Sequence, residues 1–136
     1  MSSWLPAALA ALMFFGLWGF FTKLAVNHID SKSALIYQTL GVVIVGIYIL
    51  YTMDFKLSSH PKSIFYSVLT GAAYGIGCLF YFVAASKGKI TTVVSLTALY
   101  PLVTIILGVL LLKESVNIKQ GLGITLACIA ILLMAT

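Results

Sequence analysis

Apolar residues follow one another in five long blocks along this chain, and short polar segments separate the blocks. A helix needs about 20 predominantly apolar residues to cross the hydrocarbon core of a bilayer. The block lengths predict five membrane-spanning helices, at about residues 4–22, 34–53, 63–86, 90–112 and 120–136. Because only the sequence KGK separates the third block from the fourth, we expect these two helices to form an antiparallel hairpin.

Several residues at the block ends have the chemistry of helix termini. Pro6 and Pro61 lie near the starts of the first and third blocks, where the missing N–H of proline costs little. Before the fifth block, Asn117 is followed three residues later by Gln120. This spacing is similar to a capping box, in which two side chains and two backbone N–H groups bond reciprocally. It predicts a helix start at this point.

The fourth block contains a proline near its middle, Pro101. Proline inside a helix lacks an N–H and clashes with the preceding turn, so we expect a kink and an unpaired carbonyl at Thr97. In hydrocarbon such a carbonyl must face protein, water or a ligand. A helical projection places these residues on one side: Thr97, Tyr100, Pro101, Thr104 and Gly108. On the other side it places Leu99, Leu102, Ile106 and Val109. We expect the first side to pack against something other than lipid.

The composition agrees with a membrane protein. Hydrophobic residues make up 62% of the 136 residues and charged residues only 8%, with a mean hydropathy of +1.14. Soluble domains carry about 25% charged residues. One compact membrane domain over residues 1–136 is therefore expected.

The net charge of +5 comes from eight lysines, which lie between the apolar blocks as membrane-flanking residues do. This placement argues against a nucleic-acid partner. With five spans, one side of the membrane receives Lys23, Lys32, Lys87 and Lys89. The other side receives Lys56, Lys62, Lys113 and Lys119. Orientation follows the lysine and arginine bias, so four against four specifies neither orientation. The tie is either a chance result or the mark of a chain that inserts both ways round.

Polar and aromatic residues in the first three blocks have two interpretations each. Tyr74, Cys78 and Tyr81 share one face of the third helix, which fits a helix interface and the wall of a substrate cavity equally well. Gln38 lies inside the second block, where its amide must be satisfied by another helix or by a substrate. For Trp18, four residues from the end of its block, an interfacial aromatic belt is favoured over a cavity wall.

Three further residues in these blocks are candidates for packing or for charge. Gly71 and Gly75 form a GxxxG pattern, which allows close helix packing. Lys23 directly follows the first block and is expected to extend to the membrane surface. Its alternative role is an anion contact at the mouth of a cavity.

The acidic residues lie outside the apolar blocks. Asp30 and Asp54 are expected in solvated loops, and Glu114 is expected to pair with Lys113 or Lys119 at the membrane boundary. Proton relays use carboxylates inside the membrane, and the blocks contain none. The sequence also lacks a catalytic constellation and a Cys/His cluster with metal-ligand spacing, so neither an enzyme nor a metal or other cofactor is expected.

The closing part of the chain, TALYPLVTIILGVLLLKESVNIKQGLGITLACIAILL, resembles the last helix pair of an EamA domain, from the drug/metabolite transporter superfamily. The shared features are Tyr-Pro in the fourth helix, an apolar run ending in Leu-Lys-Glu, a short polar turn, and Gln-Gly-Leu-Gly opening the last helix. The segment FFGLWGFFTKLAVNHIDSKSAL is similar to the opening helix of the family, with Trp18-Gly19 and then Lys23. The likeness covers nearly the whole chain as one five-helix unit.

The resemblance implies an all-α integral membrane protein in which one EamA-type unit assembles as a dimer. Family members commonly carry two such units in opposite orientations around a central cavity. The lysine tie fits an antiparallel homodimer of dual topology, and the alternatives are a parallel homodimer or a related chain of opposite orientation. The membrane implied is the plasma membrane, which is the inner membrane in bacteria.

The resemblance also implies a secondary transporter that moves small metabolites by alternating access. The predicted cavity residues are Thr97, Tyr100, Pro101, Thr104, Tyr74, Tyr81, Gln38 and Trp18. Without a buried carboxylate, neutral, zwitterionic or anionic substrates are favoured over hydrophobic cations. The alternative function is a non-transporting membrane subunit that assembles with or stabilises other membrane proteins.

Overall fold

The computed structural model describes residues 4–135, and this part of the chain is helical, without strands. Its elements in order are α1 Leu5–Val26, α2 Ser31–Thr52, α3 Pro61–Lys87, α4 Ile90–Thr97, α5 Tyr100–Leu111 and α6 Ile118–Ala135. The all-α prediction is therefore confirmed. The helices begin and end within a few residues of the apolar blocks, and most extend slightly beyond them.

Four helical stretches of the described chain are long and apolar enough to cross a membrane. They are Leu5–Val26, Ser31–Thr52, Pro61–Lys87 and Ile90–Leu111, the last of which joins α4 and α5. The apolar part of α6, Ile118–Leu133, is shorter than these stretches. A span takes about 17–25 residues, so a fifth crossing by α6 stays a prediction.

The chain divides into two compact units, Met1–Lys87 and Gly88–Thr136. In the first unit, α3 packs against both α1 and α2, and α1 also contacts α2. The core is built largely from small side chains: Thr22, Val26, Ala34, Cys78 and Ala85 are buried, together with Phe82. Small residues let helices approach closely where the solvent is lipid and offers no hydrophobic driving force.

In the second unit, α4 packs along α6. The fourth apolar block is interrupted at Ala98 and Leu99, and Pro101 lies in the first turn of α5. Around the break, the Leu99 N–H donates to the Leu96 carbonyl and the Leu102 N–H to the Leu99 carbonyl, each only three residues back. The predicted interruption by Pro101 is confirmed, and it takes the form of two helices rather than one kinked helix.

Individual residues account for the starts of α3 and α2. α3 begins at Pro61, as predicted. Asp30 is an exposed loop residue, as expected, and it also caps α2 by accepting hydrogen bonds from the backbone N–H groups of Lys32 and Ser33, both at 3.0 Å. Bonds from the Ser33 side chain and backbone, joined by that from Lys32, hold the pKa of Asp30 below its usual value. The capping role was not predicted, because capping depends on the backbone turn and not on apolar spacing.

The predicted capping box before α6 is confirmed. The Asn117 N–H donates to Gln120 Oε1 at 3.0 Å, and the Gln120 N–H donates to Asn117 Oδ1 at 2.8 Å. The helix starts at Ile118, two residues before the predicted bound. The two bonds satisfy backbone donors that have no partner inside the helix.

Replacing Asn117 with alanine is expected to destabilise the second unit by about 1 kcal/mol, the usual cost of losing an N-cap side chain. The measurement is the thermal unfolding midpoint of the purified protein in detergent. Ser115→Ala is the matched control, because it removes a polar side chain from the same connection outside the capping box. Equal midpoints for Asn117→Ala and wild type would contradict a stabilising role for the cap.

Candidate functional site

Three polar side chains meet between the helices of the first unit, and we call them the Gln38 cluster: Trp18 of α1, Gln38 of α2 and Tyr74 of α3. The indole Nε1–H of Trp18 donates to Gln38 Oε1 at 2.7 Å. The Gln38 Nε2–H donates to the Tyr74 hydroxyl oxygen at 3.5 Å, a longer and weaker contact. The interhelical bond that was one interpretation of Gln38 is therefore present. A substrate contact by the same amide stays a prediction.

Aromatic rings support the cluster on the α3 side. The Trp18 ring lies 4.6 Å from that of Tyr81 and 6.4 Å from that of Phe82, measured between centroids. Tyr81 and Phe82 are buried, and Cys78 on the same face of α3 is only 3% exposed. These contacts fix the orientation of the Trp18 indole, which in turn fixes which atom of Gln38 is the acceptor.

Trp18 and Gln38 also line a groove of about 240 Å³ in the first unit. Its other lining residues are Phe21, Thr22, Ala25, Ile29, Ala34, Tyr37 and Phe82. Trp18 thus lines a groove, and its place in an interfacial belt or in the wall of a substrate cavity stays a prediction. Tyr74 contacts Gln38 and Tyr81 contacts Trp18, but neither tyrosine lines the groove.

Lys23 ties the end of α1 to the end of α3. Its ammonium donates to the Ala85 carbonyl oxygen at 2.7 Å. The C-terminal carbonyls of a helix carry partial negative charge, so a cation is stabilised there. The side chain thus folds onto α3, whereas we expected it to extend to the membrane surface. Contact with an anion stays a prediction.

The GxxxG glycines do not pack against a neighbouring helix in the described chain. A Cβ added at Gly71 or Gly75 would meet nothing within 4 Å. Close packing through this pair is therefore absent from the first unit. Packing of the same face against another chain stays a prediction.

The second unit contains a larger cleft, of about 570 Å³, between α5 and α6. Pro101 lines it, but Thr97, Tyr100 and Thr104 do not. The Thr97 hydroxyl donates to the Val93 carbonyl of its own helix at 2.8 Å, and Tyr100 is 65% exposed. Leu99, Leu102 and Val109, expected on the opposite side from Pro101, line the cleft beside it.

This result corrects the single polar face predicted for the fourth block. The face of α5 that lines the cleft carries Pro101, Leu102, Ile105 and Val109, so it is rotated from the predicted face, which placed Leu102 and Val109 opposite Pro101. The hydroxyl groups of Tyr100 and Thr104 lie outside the cleft of their own unit. Their place in a cavity stays a prediction.

The sequence interpretation missed the polar end of this cleft, formed by Glu114, Ser115 and Gln120. Instead of pairing with Lys113 or Lys119, the Glu114 carboxylate turns back over α5. A Cβ added at Gly108 would lie 3.2 Å from Glu114 Oε2. The available signal was the spacing of small and polar residues on α6, where Gln120, Gly123 and Ala127 recur at spacings of three and four residues.

Comparison with known proteins decides the family. The chain matches the EamA-like transporter family over residues 2–136. It belongs to that family. This EamA protein is therefore an integral membrane protein of a transporter family, as the four long apolar helices also indicate. No solved structure matches it.

The relatives fall into two groups, one similar in length to this chain and one much longer. An uncharacterized protein of Methanocaldococcus jannaschii is 28% identical over 127 residues, which cover 93% of this chain and 92% of that protein. The glucose uptake protein GlcU of Staphylococcus xylosus is 30% identical over 96 residues, covering 71% of this chain and 32% of that protein. The probable glucose uptake protein GlcU of Staphylococcus aureus is 31% identical over 117 residues, covering 86% and 39%. The EamA chain thus spans about a third of the GlcU proteins it matches.

Proposed function

We propose that this EamA protein is a secondary transporter of small, neutral, polyhydroxylated metabolites, a class that includes simple sugars. The observation that carries the proposal is the Gln38 cluster. It combines an amide, an indole N–H and a phenol hydroxyl with the face of an aromatic ring, inside helices long enough to span the membrane. Sugar hydroxyls exchange hydrogen bonds with groups of this kind, and the C–H face of a sugar ring packs on an aromatic ring.

The charges around the cluster support a neutral substrate. Among the residues that line its groove, none is charged. A cationic substrate would lose its hydration without gaining a counter-ion, which is costly in the low-dielectric interior. The names of the GlcU relatives point to the same substrate class.

The size of the groove supports an assembly. Pockets for small molecules usually measure about 300–1,000 Å³, and the groove of the first unit holds only about 240 Å³. A second copy would supply the missing wall, and the greater length of the GlcU proteins agrees with a need for more than one unit. We therefore propose a dimer whose substrate site lies between protomers and opens alternately to the two sides.

The lysine distribution favours an antiparallel arrangement of that dimer. If α6 crosses the membrane, the eight lysines divide equally between the two sides, so both orientations insert equally well. Inverted pairs with a site near the midplane are a recurring transporter architecture. Reporter fusions at Thr136 test this point, since a signal from a single side of the membrane would exclude dual topology.

Substrate-dependent stabilisation tests the site itself. A ligand that binds only the folded state raises the unfolding midpoint, and above its Kd the stabilisation grows with the logarithm of the ligand concentration. D-glucose and related monosaccharides are expected to raise the midpoint of the wild-type protein and of Thr39→Val, and to leave Gln38→Leu unchanged. Thr39 is a matched control because it neighbours Gln38 on α2, while its hydroxyl bonds only to the Leu35 carbonyl of its own helix. Stabilisation that persists in Gln38→Leu would overturn the site assignment.

A further inference from the structure

The cleft of the second unit has the shape and polarity of a binding site for a single lipid chain. Its walls are apolar along most of their length: Leu102, Ile105, Val109, Ile124 and Ile131 are among its lining residues. Its polar atoms gather at one end, where α5 leads into α6 through Glu114 and Ser115. This end follows directly on the candidate span Ile90–Leu111, so it lies at the membrane boundary.

The length of the cleft matches one leaflet. Along α6 its lining runs from Gln120 to Ile131. At about 1.5 Å per residue this stretch measures about 16 Å. The hydrocarbon core of a bilayer is about 30 Å thick, so one leaflet measures about 15 Å. An acyl chain that enters at the polar end would therefore fill the cleft as far as its apolar end.

The charge at the polar end selects the head group. Glu114 is the one acidic side chain lining the cleft, and its carboxylate is held over Gly108, where a Cβ would come within 3.2 Å of Oε2. A carboxylate attracts an ammonium group, and neither Lys113 nor Lys119 lines the cleft beside it. The neighbouring Ser115 and Gln120 add polar groups that a head group can reach.

We infer that the α5–α6 cleft binds one membrane lipid that carries an ammonium head group, with an acyl chain between the helices and the ammonium against Glu114. This site is separate from the Gln38 cluster and does not depend on the transport proposal. Its consequence is a preference for phosphatidylethanolamine over an anionic lipid such as phosphatidylglycerol.

A cysteine inside the cleft reports on its occupant. Cys128 lines the cleft and is partly exposed, whereas Cys78 in the first unit is buried. We expect phosphatidylethanolamine in mixed micelles to slow maleimide modification of Cys128 by about fivefold relative to phosphatidylglycerol with the same acyl chains, as one partly exposed charge contact allows. Peptide mass spectrometry assigns the label to Cys128.

Two pairs of variants test the Glu114 charge and the apolar cleft separately. Glu114→Gln is expected to abolish the difference between the two lipids, and Asp54→Asn, in the connection after α2, is expected to keep it. Gly123→Leu is expected to place a side chain in the cleft, because Gly123 lines it and a Cβ there meets nothing within 4 Å. It should remove the phosphatidylethanolamine retained by the purified protein in native mass spectrometry. Gly121→Leu, equally unhindered but outside the cleft lining, should retain the lipid.

Three results would overturn the inference. Equal protection of Cys128 by both lipids would show that the head group is not recognised. A preference that survives in Glu114→Gln would show that the carboxylate is not the contact. Protection of Cys128 in lipid-free micelles, unchanged by either lipid, would show that a second copy of the chain covers the cleft instead.

Discussion

Gln38→Leu is expected to reduce transport by about 30-fold, while Thr39→Val stays within about twofold of wild type. Leucine keeps most of the volume of glutamine but removes both hydrogen-bonding groups. The Trp18 indole N–H and the Tyr74 hydroxyl then lose the partner that the structure gives them. Two hydrogen bonds from the Gln38 amide to a bound substrate, at about 1 kcal/mol each, correspond to about 30-fold in transport.

The loss of transport in Gln38→Leu must be distinguished from a loss of folded protein. Transport is therefore normalised to the amount of folded protein recovered by size exclusion, and the apparent KM is measured with the rate. An amide that binds substrate gives a higher KM in Gln38→Leu, whereas a purely structural amide lowers the amount of folded protein with KM unchanged. Wild-type KM and wild-type rate in a folded Gln38→Leu protein would remove Gln38 from the site.

Ala85→Leu is expected to destabilise the first unit. Ala85 has 0% exposure, and its carbonyl accepts the Lys23 ammonium at 2.7 Å. Its neighbour one turn earlier, Phe82, is 2% exposed. A larger side chain here must push α3 away from its neighbours, at a cost of about 1–3 kcal/mol for an overpacked core. The same displacement would lengthen the Lys23 hydrogen bond.

The comparison variant is Ala73→Leu, because Ala73 is exposed on the same helix. The two substitutions add the same side chain to α3, so they differ only in the space available. We expect a lower thermal midpoint for Ala85→Leu and no decrease for Ala73→Leu. Equal midpoints for the two variants would contradict the packing of α3 described here.

The helices and their starts could be predicted from the sequence wherever the residues that cause them are neighbours in the chain. The lengths of the apolar blocks indicated the long helices. Pro61 indicated the start of α3, and the spacing of Asn117 and Gln120 indicated the cap of α6. Each of these signals acts within a few residues, so no knowledge of packing is needed to use it.

The site was only partly predictable, because it depends on how helices rotate against one another. Trp18 and Gln38 were each candidates, but their hydrogen bond joins residues 20 positions apart on different helices. For Tyr100 and Thr104, the projection selected the wrong face of α5, because the face that lines the cleft depends on how α5 lies beside α6 and carries Leu102, Ile105 and Val109. Glu114 was misjudged because its partner is the backbone surface at Gly108, which a search for opposite charges does not consider.

Uptake by proteoliposomes tests the central claim most directly. Purified protein, as the only protein in the vesicles, is expected to admit radiolabelled D-glucose faster than protein-free vesicles do. L-glucose serves as the stereochemical control, and vesicles with Gln38→Leu are expected to remain near background. If a folded, correctly inserted wild-type protein admits neither glucose nor any other neutral sugar above background, the transport proposal is contradicted, and a non-transporting membrane subunit becomes the better account.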